Sequence, residues 1–151
     1  MAFDALHRAR DLLTEALTDD LPAILTTVGT EQGITLPALR AVHRGEPEGG
    51  WLFPCAEIGG MQGSFESLTQ LAISTDVTPW VIIHVAHDKP STRVALLEGY
   101  LTALVRLLSL RGGDRYVMFP EAFDTSPPYG TDTETVQSIG LQVRVKFAES
   151  R

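Results

Sequence analysis

The stretch from Pro79 to Gly113 constrains the fold more than any other part of the sequence. It opens with a short run, Trp80–Ala86, that is rich in β-branched apolar residues and is typical of a buried strand. A polar turn follows, and Ser91 or Thr92 can then cap the start of a helix. Gly112–Gly113 can end that helix. The sequence therefore predicts a buried strand followed directly by a long helix.

This helix is predicted to be apolar on two adjacent faces. Apolar residues recur at alternating spacings of three and four, which leaves only a narrow polar strip. Such a helix needs cover on two sides, so we expect a sheet on one side and a further helix, or a neighbouring subunit, on the other. The first face comprises Val94, Leu97, Leu101, Leu104 and Leu108, the second Leu96, Tyr100, Ala103 and Leu107, and the strip Glu98, Thr102, Arg106 and Ser109.

The N-terminal segment supplies a candidate for that cover. Residues 3–21 have apolar side chains near helical spacing and charged side chains opposite them. Pro22 either ends this helix or begins a short continuation through Ile24 and Leu25. We expect this helix to cover the second face of helix 91–110.

The segment between the two helices is predicted to combine loops with two strands. Residues 29–50 are punctuated by Gly and Pro, which indicates a loop with one helical turn at most. Cys55–Ile58 is predicted to be a strand, at an edge or just after a start, because Pro54 precedes it. Gly59–Ser64 is predicted to be a loop, and Phe65–Ser74 a strand that pairs with the buried strand after it.

The C-terminal part contains two strands around a long loop. Tyr116–Phe119 is predicted to be a strand, and residues 122–135 a loop rich in Pro, Gly, acids and hydroxyls. Val136–Phe147 alternates apolar and polar residues, as a half-exposed antiparallel strand does. The fold class expected is α+β, with a mixed, largely antiparallel sheet packed on one face by the N-terminal helix and the long central helix. The 151 residues are expected to form a single domain, 1–151, with long loops near 29–50 and 122–135.

Composition excludes several classes of function. The net charge is −7, from 19 acidic and 12 basic residues, and no basic cluster suited to binding nucleic acid is visible. The single cysteine, Cys55, can form neither an intrachain disulfide nor a zinc cluster. No apolar run is long enough for a membrane span, and the N-terminus lacks the pattern of a signal peptide. We therefore expect a protein of a reducing, cytoplasmic setting with no membrane contact.

The histidines are the first candidates for chemistry. His84, His87 and Asp88 could form a metal or catalytic site. Residues three apart on a strand point to opposite faces, so His84 and His87 should diverge unless the turn redirects His87. A buried, hydrogen-bonded histidine and a solvent-facing one are the simpler interpretation, and no metal or catalytic residue is predicted.

The remaining motifs indicate no chemistry. Gly59–Ser64 lacks the Lys of a phosphate-binding loop. Cys55 has apolar neighbours, which raise a thiol pKa and leave the group inert. Asp124, Asp132 and Glu134 lack the spacing of an EF-hand. No cofactor is expected.

The order of elements resembles the tail terminator, or tail completion, family among the small neck and tail proteins of tailed bacteriophages. The resemblance rests on strand Trp80–Ala86, turn Asp88–Pro90, helix Arg93–Leu108 with Tyr100 at its middle, and closing strand Ile139–Phe147 after a long loop. It covers most of the chain and is one of pattern, without a single diagnostic motif.

The resemblance implies a structural virion protein with no catalytic residues. Such proteins form rings, commonly hexamers, that cap the tail tube, stop its growth and join the tail to the head. The implied partners are other copies of the chain, the tube protein and the head connector, with DNA only passing through the lumen. The implied location is the tail or neck of the virion, after assembly in the host cytoplasm. The expected interface residues are Phe123, Asp124, Tyr129, Asp132 and Glu134 of the late loop, and Met61 and Gln62 of the glycine-rich loop.

Two other classes of function remain open. A small ligand-binding or adaptor domain would hold a small molecule between helix 93–110 and the sheet. A small hydrolase or metal enzyme would bring His84, His87 and an acid together. The sequence also leaves open whether the chain is a monomer, with helix 3–21 and the sheet covering every apolar face.

Overall fold

The computed structural model describes residues 5–45, 47–60, 62–67, 72–110, 112–113, 116–125 and 135–150. These residues form three α-helices, one π-helical turn and an eight-stranded mixed sheet, which confirms the expected α+β class. The helices are α1 (Ala5–Glu15), α2 (Leu21–Gln32) and α3 (Pro90–Ser109), and the π-helical turn is Ala16–Asp20. The strands are β1 (Ala41–His43), β2 (Cys55–Gly59), β3 (Gly63–Ser67), β4 (Ala72–Val77), β5 (Trp80–Ala86), β6 (Gly112–Gly113), β7 (Tyr116–Asp124) and β8 (Val136–Ser150).

The sheet is organised around β8. β4 and β5 lie end to end and pair antiparallel with β8 in one register, from Ala72 opposite Ser150 to Ala86 opposite Val136. On their other side β3 pairs with β4 and β2 with β5, so the four strands are the arms of one long hairpin. β7 pairs with the opposite side of β8, and β1 joins β2 in parallel. β7 is therefore the edge strand on the β8 side of the sheet, and the short β6 pairs with its first residues.

Two predictions about the hairpin were wrong. The predicted strand Phe65–Ser74 is two strands, since β3 ends at Ser67 and β4 begins at Ala72. β4 does not fold back on β5, because the link at Thr78–Pro79 continues along β8 instead of reversing the chain. The strand predicted at Cys55–Ile58 is present, but it lies between β1 and β5 rather than at an edge.

The N-terminal helical region is longer than predicted. It continues through the π-helical turn into α2 and ends at Gln32, where Gly33 adopts a left-handed φ of 70°. Pro22 lies in the first turn of α2, where its missing N–H costs no hydrogen bond. The loop predicted near 29–50 therefore starts only at Gly33, and it contains β1. The prediction that helix 3–21 covers α3 is also corrected, since α2 packs along α3 while α1 lies against β2 and β4.

The boundaries of α3 differ slightly from those predicted. The helix begins at Pro90 after Lys89, not after Ser91 or Thr92, and Gly112–Gly113 belong to β6. Most of the two predicted apolar faces is buried against α2 and the sheet, but Val94 remains 44% exposed. With Glu98 and Val105, Val94 leaves a partly apolar stripe on the outside of the helix.

The C-terminal strands also extend further than predicted. β7 continues to Asp124, so the loop predicted at 122–135 starts later, and its residues 126–134 lie outside the described part of the chain. The alternation predicted for β8 is confirmed, with Ile139, Leu141, Val143, Val145 and Phe147 buried in the core. β8 lies inside the sheet, between β7 on one side and β4 and β5 on the other.

Candidate functional site

A chain of buried polar groups crosses three strands on the sheet face away from the helices. His84 of β5 lies between Ser138 of β8 and Glu57 of β2, and all three side chains are almost fully buried. His84 Nδ1 is 2.6 Å from Ser138 Oγ, and His84 Nε2 is 3.1 Å from Glu57 Oε1. The strand registers bring them together, because Ser138 is directly opposite His84 on β8, and Glu57 lies on the same face of β2, two residues beyond the residue opposite His84. Each polar atom of the imidazole is thus satisfied.

An aromatic cover closes this network from outside. The Trp51 ring lies 4.5 Å from the His84 ring, and the His43 ring meets Trp51 edge-on at 5.6 Å. Trp51 belongs to the segment between β1 and β2, which therefore folds over the sheet face that the helices leave free. His84 is 0% exposed beneath it.

The network has the residue types of a Ser-His-Glu triad but not its working arrangement. In a hydrolase the nucleophile must meet the substrate, whereas Ser138 is 1% exposed and lies under the aromatic cover. Cys55, opposite His84, is equally closed, and burial together with the nearby Glu57 carboxylate raises the pKa of its thiol to about 11. In this structure the groups act as a satisfied polar core.

The predicted candidates for metal chemistry do not meet. His87 is exposed, and its Nδ1 accepts a hydrogen bond from the Lys89 backbone at 3.0 Å, away from the buried His84. Within the described ranges, no group of three or more His, Cys, Asp or Glu side chains is arranged to hold a metal ion.

A second feature is an apolar groove of about 420 Å³ between α3 and β7. Its floor and walls are mostly aliphatic or aromatic, and Phe123 on its wall is 64% exposed. A register shift between Pro120 and Ala122 places Phe123 opposite Leu141, on the helix side of the sheet. The groove is lined by Leu101, Thr102, Val105, Pro120, Glu121, Ala122, Phe123 and Leu141.

One exposed carboxylate of α3 lies close to the groove. Glu98 is exposed one turn before Leu101, whereas Asp124 follows Phe123 on β7 and so points to the opposite face of the sheet. The third acid, Glu121, is offset by Arg144, whose Nη2 lies 3.0 Å from its carboxylate on the open face of the sheet.

The structure places the predicted interface residues in two regions. Phe123 lines the groove and Asp124 follows it at the end of β7, while Gln62 lies exposed beside the hairpin, where its backbone carbonyl accepts a hydrogen bond from the Thr78 N–H at 2.8 Å. The others, Met61, Tyr129, Asp132 and Glu134, lie outside the described residues.

Sequence reasoning missed Glu57, Ser138 and the cover by Trp51. The sequence did contain a signal, because Glu57 and Ser138 are polar residues within apolar strands, as His84 is. Bringing them together required the pairing order β2–β5–β8, which local patterns do not contain.

Comparisons with known proteins do not assign the chain to a family. No family model matches it, and no curated protein shows significant similarity. None of the helices in the described part of the chain combines the length and hydropathy that crossing a bilayer requires. The groove and the closed network are therefore the features of the molecule that bear on its function.

Proposed function

We propose that this protein is a structural, non-catalytic component of a tailed bacteriophage that forms a ring at the end of the tail tube. In this role it ends growth of the tube and joins the tail to the head, as the resemblance to tail terminators implies. The observation that supports the proposal is the exposed apolar groove beside Phe123, one of the residues expected at an interface. Apolar surface of this kind marks contact sites between proteins.

The rest of the molecule fits a structural role better than an enzymatic one. The buried network around His84 is closed to substrates, and its histidine does not meet His87. The net charge of −7 suits a lumen through which DNA passes without being held. The ring would consist of six copies, with the tube protein on one face and the head connector on the other. Its final location would be the virion.

The test is the mass of the protein in solution, measured by light scattering on a sizing column over a concentration series. We expect a species near six times the chain mass of 16.5 kDa. Negative-stain images of that species should show a ring with a central opening. A monomer at every concentration would argue against the proposal.

The groove also supports a second candidate, the ligand-binding domain. It lies between α3 and the sheet, where that alternative places a small molecule, and its volume suits a small apolar compound. An environment-sensitive apolar dye should then bind one site per chain and be excluded by Val105→Glu, since Val105 lines the groove. Dye binding by a chain that never assembles would favour this candidate over the ring.

A further inference from the structure

We propose that the N-terminal end of α3 is a binding site for a phosphate group, either the free ion or a small phosphate monoester. The site consists of the first turn of the helix and the side chain of Arg93. It is independent of the proposed ring, because all of its groups belong to one chain and no second copy is needed to complete it.

The first turn of α3 leaves two backbone donors without an acceptor. Pro90 occupies the first helical position, where its missing N–H costs no hydrogen bond. The first bond of the helix runs from the Arg93 N–H to the Lys89 carbonyl at 3.1 Å. Between them, the N–H groups of Ser91 and Thr92 have no partner among the described residues, and the first turn contains no acid. Both N–H groups are therefore available to an anion.

Side chains of the same turn add further donors. Ser91 is exposed and Thr92 partly exposed, and over the described ranges neither hydroxyl forms a hydrogen bond. Lys89 is exposed directly before them and adds a mobile cation. The positive end of the helix dipole thus coincides with a group of free polar donors.

The buried Arg93 is the independent observation that points to a ligand. Its side chain carries a full positive charge although the residue is only 7% exposed. Side chains on a helix tilt toward its N-terminus, and Arg93 Nη1 donates to the His87 carbonyl, ahead of the helix, at 2.6 Å. The guanidinium therefore lies at the same end of α3 as the free N–H groups.

Arg93 has no counter-ion within the part of the chain that the structure describes. Its Nε–H makes a long hydrogen bond of 3.5 Å to the neutral Gln137, and no described carboxylate lies within ion-pair distance. Nη2 has no partner in that set and is not fully enclosed by protein. By contrast the more exposed Arg144 is paired with Glu121. A buried cation without a counter-ion is costly, and an anion from outside would offset that cost.

The number of donors favours phosphate over a carboxylate. The two N–H groups, the two hydroxyls and Nη2 together offer more hydrogens than the roughly four that a carboxylate can accept. A phosphate group has more acceptor oxygens and carries close to two negative charges at neutral pH. The acid next to the site in sequence, Asp88, is exposed and bonds to none of these donors.

The experiment titrates the full chain with inorganic phosphate in a calorimeter, against sodium chloride of equal ionic strength. The wild type should bind one phosphate per chain with a saturating signal. Arg93→Gln should weaken binding about ten- to a hundredfold, as expected when a hydrogen bond to a charged group is removed. Since a change at a buried arginine can also disturb the fold, thermal unfolding of this variant is measured alongside.

Ser91→Asp tests the site without changing Arg93. Its carboxylate would lie in the first turn of α3 and take the place of the anion. Phosphate binding should therefore be lost, while the phosphate-free protein should unfold at a higher temperature than the wild type. The matched control is Thr26→Asp, which adds the same charge at an exposed position on α2 and should leave phosphate binding unchanged.

Two further probes define the ligand. Tighter binding of glycerol phosphate than of inorganic phosphate would assign the site to an organic phosphate, and equal or weaker binding would assign it to the free ion. Acetate that binds as tightly as phosphate would overturn the choice of phosphate. The inference also fails if the wild type shows no saturable binding, or if Ser91→Asp binds phosphate as well as Thr26→Asp does. None of these results bears on the proposed ring, which the mass in solution tests separately.

Discussion

At the scale of single residues, burial decides what the reactive side chains can do. Glu57, His84 and Ser138 are hydrogen-bonded to one another and almost fully buried, and the Trp51 ring lies against His84, so none of the three is accessible to a substrate. Removing one partner of such a group costs more than the bond itself is worth, because a buried polar atom is left unsatisfied. The network therefore fixes the order of three strands.

Cys55 provides a residue-scale prediction with a defined pH window. Burial raises its pKa from an ordinary value of 9.0 to about 11, so the folded thiol keeps its proton where the unfolded thiol loses it. This contribution is fully present below pH 9 and is lost as the pH rises to about 11. It amounts to roughly 2 to 3 kcal/mol of the free energy of unfolding.

Urea unfolding at several pH values between 8 and 11 measures the effect. The wild type should lose more stability over this range than Cys55→Ala, in which the titrating group is gone, and other titrations cancel in the difference. A thiol reagent at pH 8 should label Cys55 only after unfolding. Parallel losses in the two proteins would contradict the assignment.

At the scale of elements, the sequence predicted those whose signal is local. The strand Trp80–Ala86 and the buried alternation of β8 were found because a short run of side chains defines them. The bordering position of β7 and the continuous line of β4 and β5 depend on distant pairing, so they could not be predicted. The ligand-binding alternative placed a site between helix 93–110 and the sheet, but of the residues that line the groove only Phe123 was among the expected site residues, because the lining also depends on distant pairing.

The helical region illustrates a local signal that was misleading. Gly29 suggested a loop, yet it lies inside α2. A glycine is needed there because the chain after α2 returns close to it. A Cβ atom at Gly29 would lie 2.7 Å from the Ile34 carbonyl oxygen, and the Gly29 carbonyl accepts the Ile34 N–H at 2.9 Å. The same returning segment is held to α3, where Tyr100 donates a hydrogen bond to the Pro37 carbonyl at 2.6 Å.

The element-scale prediction concerns this close approach. Gly29→Ala should gain about 1 kcal/mol of helix propensity, but the clash is with backbone and cannot relax by a side-chain rotation. Overpacking of this kind costs about 1 to 3 kcal/mol, and we expect the variant to be less stable than the wild type. Urea unfolding gives the difference, with the exposed Thr27→Ala on α2 as the near-neutral control. A Gly29 variant more stable than the wild type would show that the returning segment does not press on α2.

At the scale of the whole molecule, the distribution of charge separates contact with protein from contact with nucleic acid. Four of the basic side chains are paired with carboxylates, which reduces the positive field that phosphates would meet. They are Arg44, Arg106, Arg144 and Lys146. With a net charge of −7, the chain should repel a DNA backbone.

The last prediction follows from this balance. Fluorescence anisotropy of a labelled duplex should show no binding to the wild type at about 0.15 M salt. Non-specific binders reach dissociation constants of about 10⁻⁴ to 10⁻⁶ M through many phosphate contacts, and the sequence contains no basic cluster to make them. The matched variant is Glu98→Lys with Asp124→Lys, which changes the charge by four without touching the core. That variant should bind the duplex measurably at low salt and lose it as salt rises. Tight, salt-sensitive binding by the wild type would instead mean that a basic surface forms on assembly, and the passive lumen would have to be abandoned.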